Sequence, residues 1–343
     1  MTLQLQAGTA TGQKDLLADL NTWIAGLSGG EWVVSRYQTS GITGEANDHQ
    51  LSLRRSAGGN YLHIQTDVDS ANPLTQPLRI KLSQSTGLSA AGTDFDNHAG
   101  SSPRASAFSV PVTDTDASGP AAATIRYFFI ADDDYLIVVA NMTGGWYQSF
   151  FFGLVTGLET PDDDAFYLCG SSSISASGVN SNFNQGNESF AGWAGPTGSI
   201  SSGSPYGSVY HVDLATYKQA ILPPSTGSGL DQVVHSFCLE GSHTGRNSGV
   251  SMPTPTHFDA TAVQPLQASF LFYPHPTLFD AAAGDRFFPL GQIPGVFVLS
   301  TQYFEEEEEI TLDAEKFLII PAGKSKRISS TYAQVALAIL IPA

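Results

Sequence analysis

Apolar residues recur at two different periods along this chain. In DLLADLNTWIAGL, Leu16, Leu20, Trp23, Ile24 and Leu27 fall at three- and four-residue steps, the spacing of one helical face. Gly26 and then Gly29-Gly30 mark its end. The hydroxyls within Gly8-Thr9-Ala10-Thr11-Gly12 offer caps at its start. So short a helix is marginal alone in water and needs a surface to pack on. After it the period shortens. EWVVSRYQ, HQLSLRR, NYLHIQTDV, PLRIKLSQ and AFSVPVTD are short β-type runs separated by Gly, Pro, Asn and Asp. ATIRYFFIADDDYLIVVANM reads as a hairpin turning at Asp132-Asp133-Asp134. Its strands are almost unbroken apolar runs, the mark of strands buried on both faces. SVYHVDLA, VVHSFCLE, ASFLFYP, GVFVLST, EITLDAEKFLIIPA and YAQVALAILIPA continue the series. The pattern predicts a mainly β protein: antiparallel sandwich or barrel-like sheets, one short N-terminal amphipathic helix, and long polar loops or arms.

Four stretches follow from this pattern: an N-terminal arm and helix over 1–30, a β domain over 31–169, a loop or arm over 170–207, and a second β part over 208–343 packing with the first. The third is rich in Ser, Gly and Asn, yet Phe183, Phe190, Trp193 and Tyr206 punctuate it. A free linker has no use for such rings, so the segment is expected to order against something. No repeat of fixed period is present.

One segment concentrates aromatic side chains. NMTGGWYQSFFFGLV places Trp146, Tyr147, Phe150, Phe151 and Phe152 within seven residues. It reads as a continuation of the hairpin's second strand after a break at Gly144-Gly145. Phe150 and Phe152 then share one face and Phe151 takes the other. One side is expected to be the core, the other a second layer or a neighbouring subunit. Trp146, Tyr147, Phe151, Phe190, Trp193 and Tyr206 are therefore the candidates for an interface, with at least one of Trp146 and Phe151 expected there or under an arm.

Composition narrows the function classes. The chain has 343 residues, of which 41% are hydrophobic and only 14% charged, so a core is assured and the surface is largely neutral and polar. The net charge of −17 opposes general nucleic-acid binding and docking on anionic lipid, both of which need a basic footprint. The small cluster Lys324, Lys326 and Arg327 reads as a solvated turn. Cys169 and Cys238 form no CxxC pair; buried thiols are favoured, and a disulfide between them stays open. The N-terminal residues show no secretory pattern, so maturation in the cytoplasm is expected. The sequons at Asn141 and Asn187 then read as chance matches. No run reaches transmembrane length.

Motifs for catalysis or ligand binding are each incomplete. Gly26-Leu27-Ser28-Gly29-Gly30 fits GxSxG, but a nucleophile elbow follows a strand and opens a helix, and here the order is reversed. Gly323-Lys324-Ser325 resembles the end of a phosphate loop, whose first glycine would fall at Leu318. Asp114, Asp116 and Ser118, with Gly119, copy the first half of a calcium loop. Ile125 stands where the closing glutamate belongs, so a plain turn is favoured over calcium. His211 and Asp213 alternate on a strand, with no third partner. No cofactor and no catalytic residue is assigned. The five glutamates Glu305 to Glu309 read as an exposed edge or loop that repels unwanted pairing, with complementarity to a basic partner as the functional reading.

Three stretches together resemble one group of proteins. GTATGQKDLLADLNTWI, ANMTGGWYQSFFFGLVTGLETPDD and EKFLIIPAGKSKRISSTYAQVALAI are similar to the N-terminus, the aromatic signature and the C-terminal strand pair of a family of virion structural proteins of tailed bacteriophages. After Leu158 the chain departs from that pattern, with PDDDAFYLCG in place of a Pro- and Tyr-rich segment. The resemblance implies a non-enzymatic homo-oligomeric component of the neck, tail or baseplate, made in the bacterial cytoplasm and partnered by other virion proteins and by copies of itself. It implies no direct contact with nucleic acid and no membrane insertion. The alternative is a particle-borne protein that binds a receptor or carbohydrate, or decorates the capsid, through aromatic platforms such as Trp193 and Tyr206. A particle-borne hydrolase is the third class, with His211 and Asp213 as the residues to mutate.

Overall fold

In the computed structural model the described residues are 2–42, 48–67, 79–91, 98–99, 105–107, 124–142, 146–154, 156–157, 166–171, 207–212, 217–221, 235–236, 267–274, 287–300, 304–321 and 335–343. They form β1 (Gln4–Thr11), α1 (Gln13–Gly26), β2 (Trp32–Gln38), β3 (Gln50–Arg55), β4 (Tyr61–Asp67), β5 (Arg79–Ser85) and β6 (Ala105–Ala107). Next come β7 (Thr124–Ala131), β8 (Tyr135–Met142), β9 (Trp146–Leu154), β10 (Thr156–Gly157), β11 (Phe166–Ser171), β12 (Gly207–Val212) and β13 (Tyr217–Ile221). The rest are β14 (His235–Ser236), β15 (Gln267–Pro274), β16 (Phe287–Ser300), β17 (Glu309–Leu312), β18 (Glu315–Pro321) and β19 (Val335–Ile341).

The strands make three antiparallel sheets. A seven-stranded sheet runs β1-β7-β8-β9-β11-β12-β13; a second has the order β14-β15-β16-β19-β18-β17, with β10 added on β16; a five-stranded one runs β2-β3-β4-β5-β6. Among the described residues the protein is thus mainly β with one helix, as the alternating pattern predicts, and the sheets are open rather than closed into a barrel. We call them the central, outer and small sheets.

The central sheet is covered on both faces, which explains its apolar strands. On one face Tyr127 and Phe129 of β7, Leu136 and Val138 of β8, Phe150 and Phe152 of β9 and Leu168 of β11 join a single core. Leu16, Leu17, Leu20 and Ile24 of α1 complete it, with Leu51, Leu53, Leu62, Ile64, Ile80 and Leu82 of the small sheet. Trp32 meets Phe152 at a centroid distance of 6.0 Å, and its indole N–H donates to the Asp132 carbonyl at 2.7 Å. The other face carries Phe128, Ile130, Tyr135, Ile137, Val139 and Phe151, all buried. There Tyr135 approaches Gly295 of β16: a Cβ at Gly295 would lie 2.6 Å from its hydroxyl. The outer sheet supplies buried Val296, Leu318, Leu337 and Ile339, which lie side by side in register. Its opposite face holds a separate cluster of Phe317, Ile319, Ala336 and Ala338 with Phe297, Phe304 and Ile310.

Several expectations are corrected. Residues 4–11 are no arm. β1 pairs with β7 without interruption from Gln4↔Ala131 to Thr11↔Thr124. Thr9 and Thr11 therefore belong to a strand and do not cap the helix; Gly12, at φ 94°, is the cap residue and no side chain bonds there. Glycine tolerates that backbone where a hydroxyl residue would be strained. Strands from both sides of residues 170–207 share one sheet, since β11, β12 and β13 are consecutive in the central sheet. β9 is not a continuation of β8. The chain reverses, pairing Met142 with Trp146 and Tyr135 with Gly153.

The hairpin at 132–134 is a tight polar turn as predicted. The Asp132 carboxylate accepts from the backbone N–H of Asp134 and Tyr135 at 2.7 and 2.9 Å, the Asx-turn use of this residue. A second hairpin joins β17 to β18 through Asp313 and Ala314, at φ 49° and 76°. Two positive-φ central residues define a type I′ turn, which normally takes Asn-Gly or Asp-Gly.

Candidate functional site

The aromatic strand is where the sequence concentrates its candidates, and the fold explains its composition. β9 lies inside the central sheet between β8 and β11, so both of its faces need apolar side chains. Phe150 and Phe152 face the helix and small sheet, while Phe151 faces the other way and stacks on Tyr135 at 5.9 Å. Phe151 is 0% exposed and Tyr147 3%. Both are covered by their own chain and offer no surface to a neighbour, contrary to the interface expected of them. For Phe151, the reason is the layer of outer-sheet side chains on that face. β9 also holds Gly153, where a Cβ would stand 2.5 Å from the Tyr135 Cα. Only glycine permits that backbone approach.

Tyr147 has a specific partner. Its hydroxyl donates to Glu307 Oε1 at 2.9 Å, and Arg126 Nε lies 2.6 Å from Glu307 Oε2. A residue of the glutamate run thus fastens the outer sheet's turn to β7 and β9 of the central sheet. The run is not a uniformly exposed edge. Glu305 and Glu309 are exposed, whereas Glu307 turns inward at φ 62°. Its N–H donates to the Ile319 carbonyl at 2.8 Å, and the Ile319 N–H donates to the Glu308 carbonyl at 2.8 Å. Non-glycine residues in this region carry strain of about 1–3 kcal/mol and persist only where their surroundings fix them. Burial, and then the Glu307 carboxylate, push the Tyr147 hydroxyl far above the ordinary tyrosine range. It therefore acts as a permanent donor.

A second site was not singled out from sequence. The face of the small sheet turned away from the core is polar and yet buried. It carries Gln50, Ser52, His63, Gln65, Lys81, Ser83 and Ser85, none more than 3% exposed. Ser52, His63 and Ser83 lie in one register row across β3, β4 and β5, and Gln50, Gln65 and Lys81 in the next. His63 is the hub. Its Nδ1 lies 2.8 Å from Ser52 Oγ and its Nε2 2.6 Å from Ser85 Oγ. Ser85 Oγ donates onward to the Gly87 carbonyl at 2.9 Å, so it accepts the proton on His63 Nε2. Nδ1 then accepts from Ser52. His98 stacks on the ring at a centroid distance of 3.7 Å, nearly parallel. Arg36 reaches the same region and donates to the carbonyls of Ser89 and Ala90. Burial above all, then the neighbouring His98 and Arg36, lower the His63 pKa to about 2. The ring is neutral at every ordinary pH, as its hydrogen bonds require. A serine beside an imidazole is the pair used for nucleophilic attack. Here both are fully buried and the imidazole is held at both nitrogens, so the arrangement gives cohesion.

The remaining sequence candidates fall elsewhere. Trp146 begins β9, opposite Met142. Phe190, Trp193, Tyr206, Asp114, Asp116, Ser118, Asp213, Cys238 and the 323–327 cluster lie outside the described residues, as does Asn187. Cys169 and His211 fall on β11 and β12, and His211 is in register with Tyr167 and Lys218. Ser28 lies between α1 and β2, the reverse of a nucleophile elbow, and is exposed. Among the described residues no group of three His, Cys, Asp or Glu side chains is placed to hold a metal ion, and no helix is long and apolar enough to cross a membrane.

No protein-family model and no curated protein matches the chain.

Proposed function

We propose that this chain is a non-enzymatic structural component of a tailed-bacteriophage particle, assembling with copies of itself in the neck, tail or baseplate. The observation that carries the reading is where the phage-like stretches fall. Residues 8–24 include part of β1 and most of α1, residues 140–163 include the end of β8 with β9 and β10, and residues 315–339 include β18 and most of β19. They contribute to the packed faces of the central and outer sheets and to the helix between the central and small sheets. The resemblance thus falls on residues that build the scaffold of this chain. The low charge fraction of 14% supports the same reading, since a neutral polar surface suits extensive contacts between subunits. So does the Tyr147–Glu307–Arg126 fastening, which binds two layers into one body.

Quantitative mass spectrometry of purified particles tests this. Many copies per particle are expected. Recovery of the protein solely from the unassembled fraction of an infected-cell lysate contradicts it. Antibodies against residues 170–207 should leave adsorption unchanged; a block of adsorption would favour the receptor-binding alternative.

A further inference from the structure

Every open sheet ends in two strands whose outward N–H and C=O groups can template another strand. Among the described residues, five of the six edge strands carry a recognised protection. β14 has two residues, β6 three and β17 four. β13 has five and contains Lys218. β2 has seven, but its pairing is interrupted by a bulge between Val34 and Arg36, and it carries the charge of Arg36. Short length, charge and bulges are the devices that discourage strand addition.

β1 has none of them. It is eight residues long, reads QLQAGTAT, contains no charge and no proline, and pairs with β7 in unbroken register throughout. Ala7, Thr9 and Thr11, on one face, are exposed. They are small enough for another strand to approach.

We propose that β1 is an assembly edge, at which a second copy of this chain pairs antiparallel, β1 against β1, about a two-fold axis. The two seven-stranded sheets would then become one. The net charge of −17 on each chain opposes association in general, so a copy is accommodated best where it meets no like charge, and β1 is the longest charge-free edge among the described residues. Antiparallel pairing of an edge with itself is also self-complementary, as a two-fold contact must be. Main-chain hydrogen bonds supply the affinity in this mode of association. The inference rests on the edge alone and does not require the particle reading.

Sedimentation equilibrium of the full chain, with the double variant Ala7→Lys/Thr9→Lys beside it, tests the proposal. The wild type is expected to dimerise with concentration. With the axis near the middle of β1 the variant sets like charges across the seam, and it should weaken the dimer about tenfold or more. Both side chains are exposed, so the thermal melt of the variant monomer should be unchanged and separates weakened pairing from misfolding. Hydrogen exchange is the second measurement: alternate amides of β1 should slow on dimerisation. A wild type that stays monomeric at high concentration overturns the proposal. So does a dimer of unaltered strength in the folded variant, or one in which β1 amides exchange as fast as in the monomer.

Discussion

The interior of this protein contains two buried regions of opposite chemistry, and each is buried for a different reason. Around β9 the central sheet is covered on both faces by apolar layers, and every ring there gains by leaving water. On the far face of the small sheet, glutamines, serines and two histidines are equally buried. His63 at its centre is hydrogen-bonded at both ring nitrogens, which offsets the cost of its burial. The first region depends on volume and the second on pairing. They should therefore fail in different ways.

The largest effect is expected in the aromatic region. Phe151→Ala should cost about 3–5 kcal/mol of stability, the range for deleting a fully buried phenylalanine, measured by urea unfolding with the slope unchanged. A loss under 1 kcal/mol, on the order of a surface substitution, would mean that the ring is not enclosed by its own chain. Gly153→Ala should rank close to it, because the added methyl meets backbone at Tyr135.

In the polar region Ser52→Ala removes few atoms but leaves His63 Nδ1 buried without a donor, a loss of about 1–3 kcal/mol. If volume governed this region as it governs β9, Ser52→Ala would be nearly neutral. That outcome would erase the distinction.

Acid separates the regions further. The unfolded chain titrates His63 at its ordinary value of 6.5 and the folded chain near 2. Between those values the unfolded state takes the proton. Stability from the neutral ring is therefore complete above 6.5 and lost as pH falls toward 2. The limiting slope for this one site is about 1.4 kcal/mol per pH unit. Burial lowers His49 as well, with Lys14 adding to it, so His63→Gln should reduce the slope without abolishing it. An unchanged slope in that variant, read from unfolding between pH 4 and 7, would place the acid sensitivity elsewhere.

The smallest effect lies outside both regions. Ala314 sits at φ 76° in the β17–β18 turn, where a Cβ costs about 1–2 kcal/mol. Ala314→Gly should stabilise by somewhat less, because glycine also adds entropy to the unfolded chain. A destabilised variant would be incompatible with the turn described above.

What could be read from the sequence follows from how far each signal extends along the chain. The helix at Leu16 to Leu27, the β7–β8 hairpin and the β18–β19 pair announce themselves through local period and turn residues. β1 does not: QLQAGTAT has little apolar alternation, and pairing with a strand more than a hundred residues away makes it a strand. The polar face of the small sheet was equally hidden. Its alternation of Leu51 and Leu53 with Gln50 and Ser52 is that of a half-exposed strand, and nothing local says that the second face is also covered. Tyr147 stood out as an aromatic residue, but its partner Glu307 lies 160 positions on, inside a run whose charge suggests solvent. The reversal between Met142 and Trp146 was legible in principle, since paired glycines between apolar runs are a hairpin signal.

The central claim is that β9 is a core strand of a single chain. Residue-resolved hydrogen exchange of monomeric protein, prepared dilute or as the β1 variant, tests it most directly. The amides from Tyr147 to Gly153 should be as protected as those of β8, and equally so before and after assembly. Fast exchange across β9 in the monomer, slowed only when subunits associate, would contradict it.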